Sequence, residues 1–446
     1  MISSPGLIVV VGGGAAGIAA ARRLRDAGED VLLVEAGDRL GGRARSVPLA
    51  DLFAAPPFAP SLSTGYSPQR SRPSADPALT DGGRALAVDA GCGWLHSAGR
   101  NPWTAIAARD GFSIDRSSPN WGVQWRDLGY PPEDQRAFRA AYDRWDEAAH
   151  AALGGADRPL SDFIAAGDEP WRPMIDAISG YANGAPLDRV SLHDWAAYED
   201  AATEDNWSLP AGYGTLIVHH AGDVPVRLNT PVTRIDRRWR TIRLDTPAGT
   251  IEADRVILAI PTTAYEGIVF DPPLPDKQAA AAALPLGLAD KVFLAVDRPE
   301  WPAQAHLIGD PHRACTASHR LSPLGLPLVE SFLGGACAEA MPDARAASDF
   351  AIGELVGLLG SDWRKRLAPL HATHWRGQAY IHGSYSHARV GHAGARAILA
   401  TPVDDRLFFA GEACSRHDFS TAHGAYQTGI DAAAAILHLK GAAPRP

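Results

Sequence analysis

LIVVVGGGAAGIAAARRLRDAGEDVLLVEAGDRLGGR, residues Leu7 to Arg43, decides how the rest of the chain is read. Leu7 to Val11 is a short, mostly β-branched apolar run closed by glycine, the pattern of a strand buried on both faces. Gly12, Gly14 and Gly17 follow with the spacing G-x-G-x-x-G. The first permits a tight turn, the second lets main chain approach a pyrophosphate, and the third lets helix and strand pack closely. An alanine-rich helix is expected from Ala15 to about Ala27, stopped by Gly28. Its first turn, with Ala15 and Ala16, aims N–H groups and the helix dipole at phosphate oxygens. A second strand, Val31 to Val34, ends in Glu35, with Ala36 behind it. A carboxylate about 20 residues past the loop accepts hydrogen bonds from both hydroxyls of an adenosine ribose and disfavours a 2′-phosphate. Strand, loop, helix, strand and acid fall in register, so the expectation is a dinucleotide-binding βαβ unit that does not take NADP.

Around that unit the chain has 446 residues, enough for two domains. Hydrophobic residues make up 46% and charged residues 21%, the balance of a globular protein with a large core. The formal net charge of −9 argues against nucleic acid as a partner and is compatible with a cationic substrate. No apolar run approaches the length of a membrane span, and MISSPGLIVVV runs straight into the first strand without a basic leader, so cytoplasm is the expected compartment. Cys92, Cys315, Cys337 and Cys414 are scattered, with no C-x-x-C pair. Neither zinc nor a disulfide framework is expected, and no metal site is read anywhere in the chain.

Leu40-Gly41-Gly42-Arg43 separates the possible dinucleotides. A Gly-Gly-Arg just after the ribose acid resembles the flavin amine oxidase family, in which the arginine lies against the flavin's phosphates. The resemblance implies FAD. It recurs at Asp89-Ala-Gly-Cys-Gly93-Trp94-Leu-His96 with Asn101-Pro102, similar to a family turn that runs beside the flavin ring, where His96 matches a histidine that polyamine oxidases use near the substrate amine. Ser97 departs from the family's usual glycine there. Further on, GYG at Gly212–Gly214, VRLNTPVTRI with Val232 placed against the adenine end, ADRVILAIPTTA with Pro261 at its corner, and FDPPLP resemble family blocks in order. Lys291, opening the apolar strand VFLAV, matches a lysine that bonds a water under flavin N5.

The tail carries a second strong resemblance: Trp375, then Gly383-Ser384-Tyr385-Ser386, then RLFFAGEACSRHDFSTAHGAYQTGIDAAAAIL. Leu407 to Ala410 is expected to be a strand that delivers Gly411 and Glu412 to the ribityl chain. A helix from Gly424 to Leu439 is expected to face the ring, with Thr421, Ala422 and Ala425 near its start. The tail departs from the family pattern in three ways. Ser384 stands where monoamine oxidases carry a flavin-bonding cysteine, so FAD is expected to be noncovalent. Tyr385 matches one ring of the aromatic cage, but Thr421 stands in place of the other, with Phe419 or Trp375 as candidate substitutes. Finally, no Asp precedes Gly-Ser-Tyr in the family's common way.

The expected fold is α/β: a Rossmann-like FAD-binding domain of the GR2 type interleaved with an α+β substrate-binding domain. The first takes residues 1–103, 209–270 and 386–446. The second takes 104–208 and 271–385, the former helical and rich in Ala, Asp, Arg and Trp. Residues 47–85, dense in Pro, Ser and Ala, read as an irregular insertion with no catalytic role. Tyr198, Glu199, Asp200 and Glu204 read as a solvated acidic face rather than a cation-attracting entrance. The implied function is FAD-dependent amine oxidation: hydride transfer from the α-carbon, hydrolysis of the imine to an aldehyde, and reoxidation by dioxygen to hydrogen peroxide. A polyamine or secondary amine is the expected substrate, with Lys291, His96, Tyr385 and Thr421 at the chemistry. The alternatives left open are a monoamine oxidase acting on a primary or methylated amine, an amino-acid oxidase or desaturase, and a partner-binding flavoprotein without turnover. Expected partners are a small-molecule amine and dioxygen, with neither nucleic acid nor membrane, and a homodimer is left open.

Overall fold

The computed structural model describes residues 2–3, 6–54, 80–117 and 119–442. The elements that position the site are, in chain order, β1 (Ile8–Val11), α1 (Ala15–Asp26), β2 (Val31–Val34), β3 (Ala87–Asp89), α2 (Pro132–Ala151), α3 (Arg172–Asn183) and α4 (Leu192–Glu199). There follow α5 (Tyr213–His219), β4 (Val226–Arg227), β5 (Arg255–Leu258), β6 (Ala289–Val296), β7 (Ala305–Ile308) and β8 (Ser318–Leu321). The last are β9 (Leu328–Gly334), β10 (Leu367–Ala372), β11 (Leu407–Phe409) and α6 (Ala422–Ala442).

A parallel sheet in the order β11-β5-β1-β2-β4 gathers strands from the start, middle and end of the chain. β1 is buried on both faces because its residues alternate between two cores. Ile8 and Val10 pack with Ile18, Leu24 and Ile436, while Val9 and Val11 pack with Val256, Leu258 and Phe409. Fully burying each such side chain contributes roughly 1.5–3 kcal/mol. Helix α6 lies directly on α1: a Cβ at Gly429 would come within 2.1 Å of the Ala16 carbonyl oxygen, so glycine is what allows that approach. The expected α/β architecture is therefore present, with the glycine loop, Glu35 and Gly411 all at the carboxyl ends of parallel strands, where open α/β sheets bind their ligands.

A second, antiparallel sheet runs β7-β8-β9-β6-β10. One face buries Val292, Leu294, Leu307, Val329 and Leu333. The period-2 alternation of strands leaves Lys291, Glu330, Phe332, Arg320, Ser318 and His306 on the other.

Three expectations are corrected. Lys291 does not open its strand: β6 begins at Ala289, and Lys291 lies inside the ladder opposite Phe332. The stretch 47–85 is ordered at both ends, since Leu49–Ala54 is a helix whose buried Leu49 and Leu52 pack on Val88, Phe293 and Leu370, and Thr80–Asp81 pairs with Arg84–Ala85. The remainder of that stretch, 55–79, lies outside the described residues. Cys315 and Cys337 form a disulfide 22 residues apart, because the tertiary fold brings the segment before β8 against the helix after β9. Cys414 is a buried free thiol and Cys92 a partly buried one. Among the described residues no helix is long and apolar enough to cross a membrane, and no group of His, Cys, Asp and Glu could hold a metal ion.

Candidate active site

One cavity of about 1420 Å³ runs from the glycine loop to the antiparallel sheet. At its first end the wall is main chain. Gly12 has φ of 104°, and a Cβ there would sit 2.3 Å from the Ala259 carbonyl oxygen of the next strand connection. Gly14 is different: nothing lies within 4 Å of where its Cβ would be. It precedes α1, which carries neither a side-chain cap nor an acidic residue in its first turn, so its N-terminal N–H groups and dipole suit an anion. Gly17 is off the cavity wall. A Cβ there would lie 1.8 Å from the Gly12 carbonyl oxygen, so its work is packing helix against strand.

Glu35 accepts from Gly13 N–H at 2.6 Å and Gly37 N–H at 2.7 Å, which fixes both carboxylate oxygens at the end of β2. Ala15, Ala16, Ala36 and Gly42 line the same end with little more than main chain. Val232 lines it too, and its main-chain N–H and C=O have no hydrogen-bond partner among the described residues.

The middle of the cavity joins both ends of the chain. Arg43 Nη1 donates to the Ser384 carbonyl at 2.5 Å and to Glu412 Oε1 at 2.9 Å. Glu412 is buried and also accepts from Ser386 Oγ at 2.7 Å and Ser420 N–H at 2.9 Å. Burial pushes its carboxyl up, but the nearby Arg43 and Arg396 charges hold it below the usual range. Arg396 makes a bidentate, fully buried pair with Asp194 of α4, at 2.6 and 2.8 Å, and its guanidinium lies 3.6 Å from the Phe419 ring centroid. Ser384 Oγ is buried with no hydrogen-bond partner among the described residues. Trp375 is buried and donates its indole N–H to the Ala90 carbonyl at 3.2 Å. Gly411, Gly93, Ala422 and Ala425 complete this section of wall. A Cβ at Gly93 would lie 3.1 Å from Asp89 Cβ and 3.2 Å from Lys291 Nζ, so the turn is closely packed against both.

The far end is a chamber of side chains. Lys291 Nζ donates to the Asp89 carbonyl at 2.9 Å and pairs with Glu330 Oε1 at 2.8 Å. His96 Nδ1 is 2.6 Å from Asn206 Oδ1. Asn206 spends its amide N–H on the Glu204 carbonyl, so its Oδ1 accepts and the His96 proton sits on Nδ1, leaving Nε2 as the lone-pair nitrogen. Burial lowers the His96 pKa to about 4, so the ring is neutral. Tyr385 donates its hydroxyl to the Tyr181 carbonyl, which fixes the ring. Thr421 spends its hydroxyl on the C-terminal helix, accepting from Gly424 N–H at 3.0 Å and donating to the Asp418 carbonyl at 2.6 Å. Ser97 takes φ of 49°, so the loop keeps a left-handed turn although serine has replaced glycine. Trp94 stacks edge-on with Trp121 at 5.0 Å, and Phe419 meets Tyr198 at 5.6 Å. Tyr198 and Glu199 line the cavity while Asp200 and Glu204 do not, so the acidic cluster divides between rim and solvent.

Glu330, Arg320, Phe332, Asn206, Trp121 and Arg396 were not read from the sequence. No period-2 signal marked the first three, because Ser318-His319-Arg320 and Glu330-Ser331-Phe332 are unbroken runs of polar or aromatic residues.

Residues 160–437 match the model for flavin containing amine oxidoreductase, and residues 10–104 match that for an NAD(P)-binding Rossmann-like domain. The chain belongs to the flavin amine oxidoreductase family. Polyamine oxidase 4 of Oryza sativa subsp. japonica is 27% identical to this amine oxidoreductase, over 97% of the chain and 88% of the relative. Polyamine oxidase 2 of Arabidopsis thaliana is 28% identical over 96% and 87%. Lysine-specific histone demethylase 1 homolog 2 of rice is 29% identical, and the match spans 57% of its length. A solved putrescine oxidase with putrescine bound shares the fold, with a TM-score of 0.68 at 19% identity over 97% of this chain and 98% of that one. The protein is an FAD-dependent oxidoreductase acting on amine C–N donors. The residues present suit that cofactor: open space at Gly14, an uncapped helix start, an acid at the end of β2 and an unpartnered Ser384 hydroxyl all lie along one continuous cavity.

Proposed function

We propose that this oxidoreductase oxidises a polyamine or secondary amine at the α-carbon, giving an aldehyde and, with dioxygen as acceptor, hydrogen peroxide. The observation that carries the reading is the convergence of Lys291, His96 and Tyr385 on the wall of the same cavity that the glycine loop opens. In this reading Gly12, Gly14, Ala15, Ala16, Glu35, Ala36, Gly42, Arg43 and Val232 hold the adenosine and pyrophosphate end. Gly93, Trp94, Trp375, Gly411, Glu412, Ala422 and Ala425 hold the ring end, and Thr421 sets the start of the C-terminal helix there. FAD, when bound, supplies the hydride acceptor. The protein's part is to orient the amine, keep it neutral and exclude water. Trp94, Trp121, Phe419 and Tyr198 form an apolar surround that lowers the pKa of a bound amine by desolvation and so frees its lone pair. Neutral His96 presents Nε2 as an acceptor for the amine N–H, and Lys291 holds water at the reacting carbon's side of the chamber.

Two further parts belong to the proposal. Attachment of FAD is noncovalent: Ser384 precedes Tyr385, and the Cys92 thiol on the cavity wall is pushed by burial up to about 12 and is unreactive. The chain divides as the family order implies, into 1–103, 209–270 and 386–446 around the cofactor and 104–208 and 271–385 around the substrate. A cytoplasmic setting is retained, with the Cys315–Cys337 bond as the feature that pulls against it, because cystines persist in oxidising compartments. An amino-acid oxidase is disfavoured. Arg320, the arginine beside Lys291 on the chamber wall, donates Nε and Nη2 to Gln304 Oε1 at 3.0 and 2.7 Å and lies over Trp94, so it offers no open fork for a carboxylate. The test is a peroxide assay across primary amines, secondary amines and polyamines, with Lys291→Met as control. Turnover highest on secondary amines and polyamines, lowered roughly a hundredfold in the variant, is the expected result. Undiminished turnover by Lys291→Met removes the lysine from the mechanism, and preference for primary monoamines removes the substrate class.

A further inference from the structure

We propose that Glu330 is a positioning residue for Lys291, holding its ammonium so that one N–H is directed to the cavity; this rests on the reading that Lys291 acts in the chemistry. An ammonium has three N–H donors. One goes to the Asp89 carbonyl at 2.9 Å and a second to Glu330 Oε1 at 2.8 Å. The third remains for the cavity that Lys291 lines. The register makes this arrangement rigid: Phe293 pairs with Glu330 and Lys291 with Phe332, so Lys291 and Glu330 are diagonal neighbours on one face of the sheet. Arg320 stands directly opposite Glu330 on the next strand, with Nη1 3.7 Å from Oε2, and closes the other side of the carboxylate.

The groups around Nζ leave Glu330 as the carboxylate in contact with it. Asp89 turns its carboxylate away to Ser46 Oγ and the N–H groups of Tyr213 and Gly214, and burial raises its pKa. Burial also raises Cys92 to about 12 and lowers His96 to about 4, so both are neutral. Arg320 is a second cation. Burial pushes the Glu330 carboxyl up, but Lys291 and Arg320 hold it below the ordinary carboxylate range, and it stays ionised. Lys291 and Glu330 side chains are 10% and 13% exposed. An ammonium that deep in the protein is left uncompensated and swings away when its carboxylate is removed.

The experiment places Glu330→Gln and Glu330→Asp in both the wild-type and the Lys291→Met backgrounds and measures amine turnover against pH, melting temperature and flavin content. Expected is a roughly hundredfold loss for Glu330→Gln, the size of effect that a displaced catalytic group produces. Glu330→Asp should recover most of the rate. In the Lys291→Met background the Gln substitution should add nothing, since the effect passes through the lysine. A readout independent of turnover is acetylation of Lys291 by an amine-reactive reagent at about pH 8, followed by peptide mass spectrometry. It should be faster in Glu330→Gln, where the amine is no longer tethered by the carboxylate and reaches the reagent. Where Glu330→Gln does not accumulate as folded protein, Glu330→Asp carries the same comparison at smaller amplitude. Wild-type rates and acetylation in Glu330→Gln overturn the proposal. So does a loss that persists undiminished in the Lys291→Met background, which gives Glu330 a direct contact with the substrate ammonium. A silent Lys291→Met instead overturns the parent reading.

Discussion

The two ends of the cavity are built by opposite means. Around the glycine loop the wall is main chain, and its shape depends on atoms that are missing: Gly12 and Gly17 have no room for a Cβ, while Gly14 has room that the protein leaves open. Around Lys291 the wall is side chains from four antiparallel strands, and its shape depends on which residues face each other across the ladder. The first design has no room for a side chain at Gly12 and Gly17. The second depends on partners distant in sequence, such as Lys291 with Glu330, so each half of a pair is uninformative by itself.

The sharpest test of this contrast lies where the two ends meet. Arg396→Leu leaves Asp194 buried without its cation, so a stability loss of about 3–5 kcal/mol is expected from denaturant melts. A loss below about 1 kcal/mol means that the joint between the regions does not rely on that pair. Gly17→Ala comes next. Its methyl would lie 1.8 Å from the Gly12 carbonyl oxygen, and a cost of about 1–3 kcal/mol with poor flavin retention is expected from melting and the ratio of flavin to protein absorbance. Normal melting and full flavin would contradict the main-chain account of that end.

Glu35→Ala tests the same end without disturbing packing. Loss of a charged acceptor should weaken FAD roughly ten- to hundredfold, read by flavin fluorescence released on dilution. Unchanged affinity would leave Glu35 only its bonds to Gly13 and Gly37. The last expectation concerns pH. His96, with its folded pKa lowered by burial to about 4, should contribute no limb to the activity profile between about pH 5 and 8. The linked stability effect has a definite sign. His96, His220, His306 and His387 are all depressed by burial to about 4, below the unfolded value of about 6.5. The unfolded chain therefore binds more protons in that window, and stability should fall as pH drops from about 6.5 towards 4. A melting temperature flat across that range would show these imidazoles to be more exposed to water than the structure has them.

Much of the cofactor end was legible in the chain because its requirements are local. Turn, close approach, helix start and strand end fall within Leu7–Arg43, and the spacing of its glycines is readable there, as at Gly17, whose missing Cβ would meet the Gly12 carbonyl. Resemblance extended this to Lys291, His96, Tyr385 and the tail. It did not extend to what those residues touch. The Lys291–Glu330 pair, the Asn206 amide that sets the His96 tautomer, the Arg396–Asp194 brace and the Cys315–Cys337 bond all join residues separated by 22 to 202 positions, and the stretch 47–85 hid a helix because apolar Leu49 and Leu52 needed a distant partner surface to show their face.

By itself the amino-acid order determined that a βαβ dinucleotide unit forms and that an acid closes its second strand, since both are set by steric demands within a few residues, while the return of the tail to that unit came only from resemblance. Only the tertiary structure decided which side chains face one another in the chamber, because strand register and burial set those distances, and the charge state of a group such as Glu330 follows from its neighbours in space rather than in sequence.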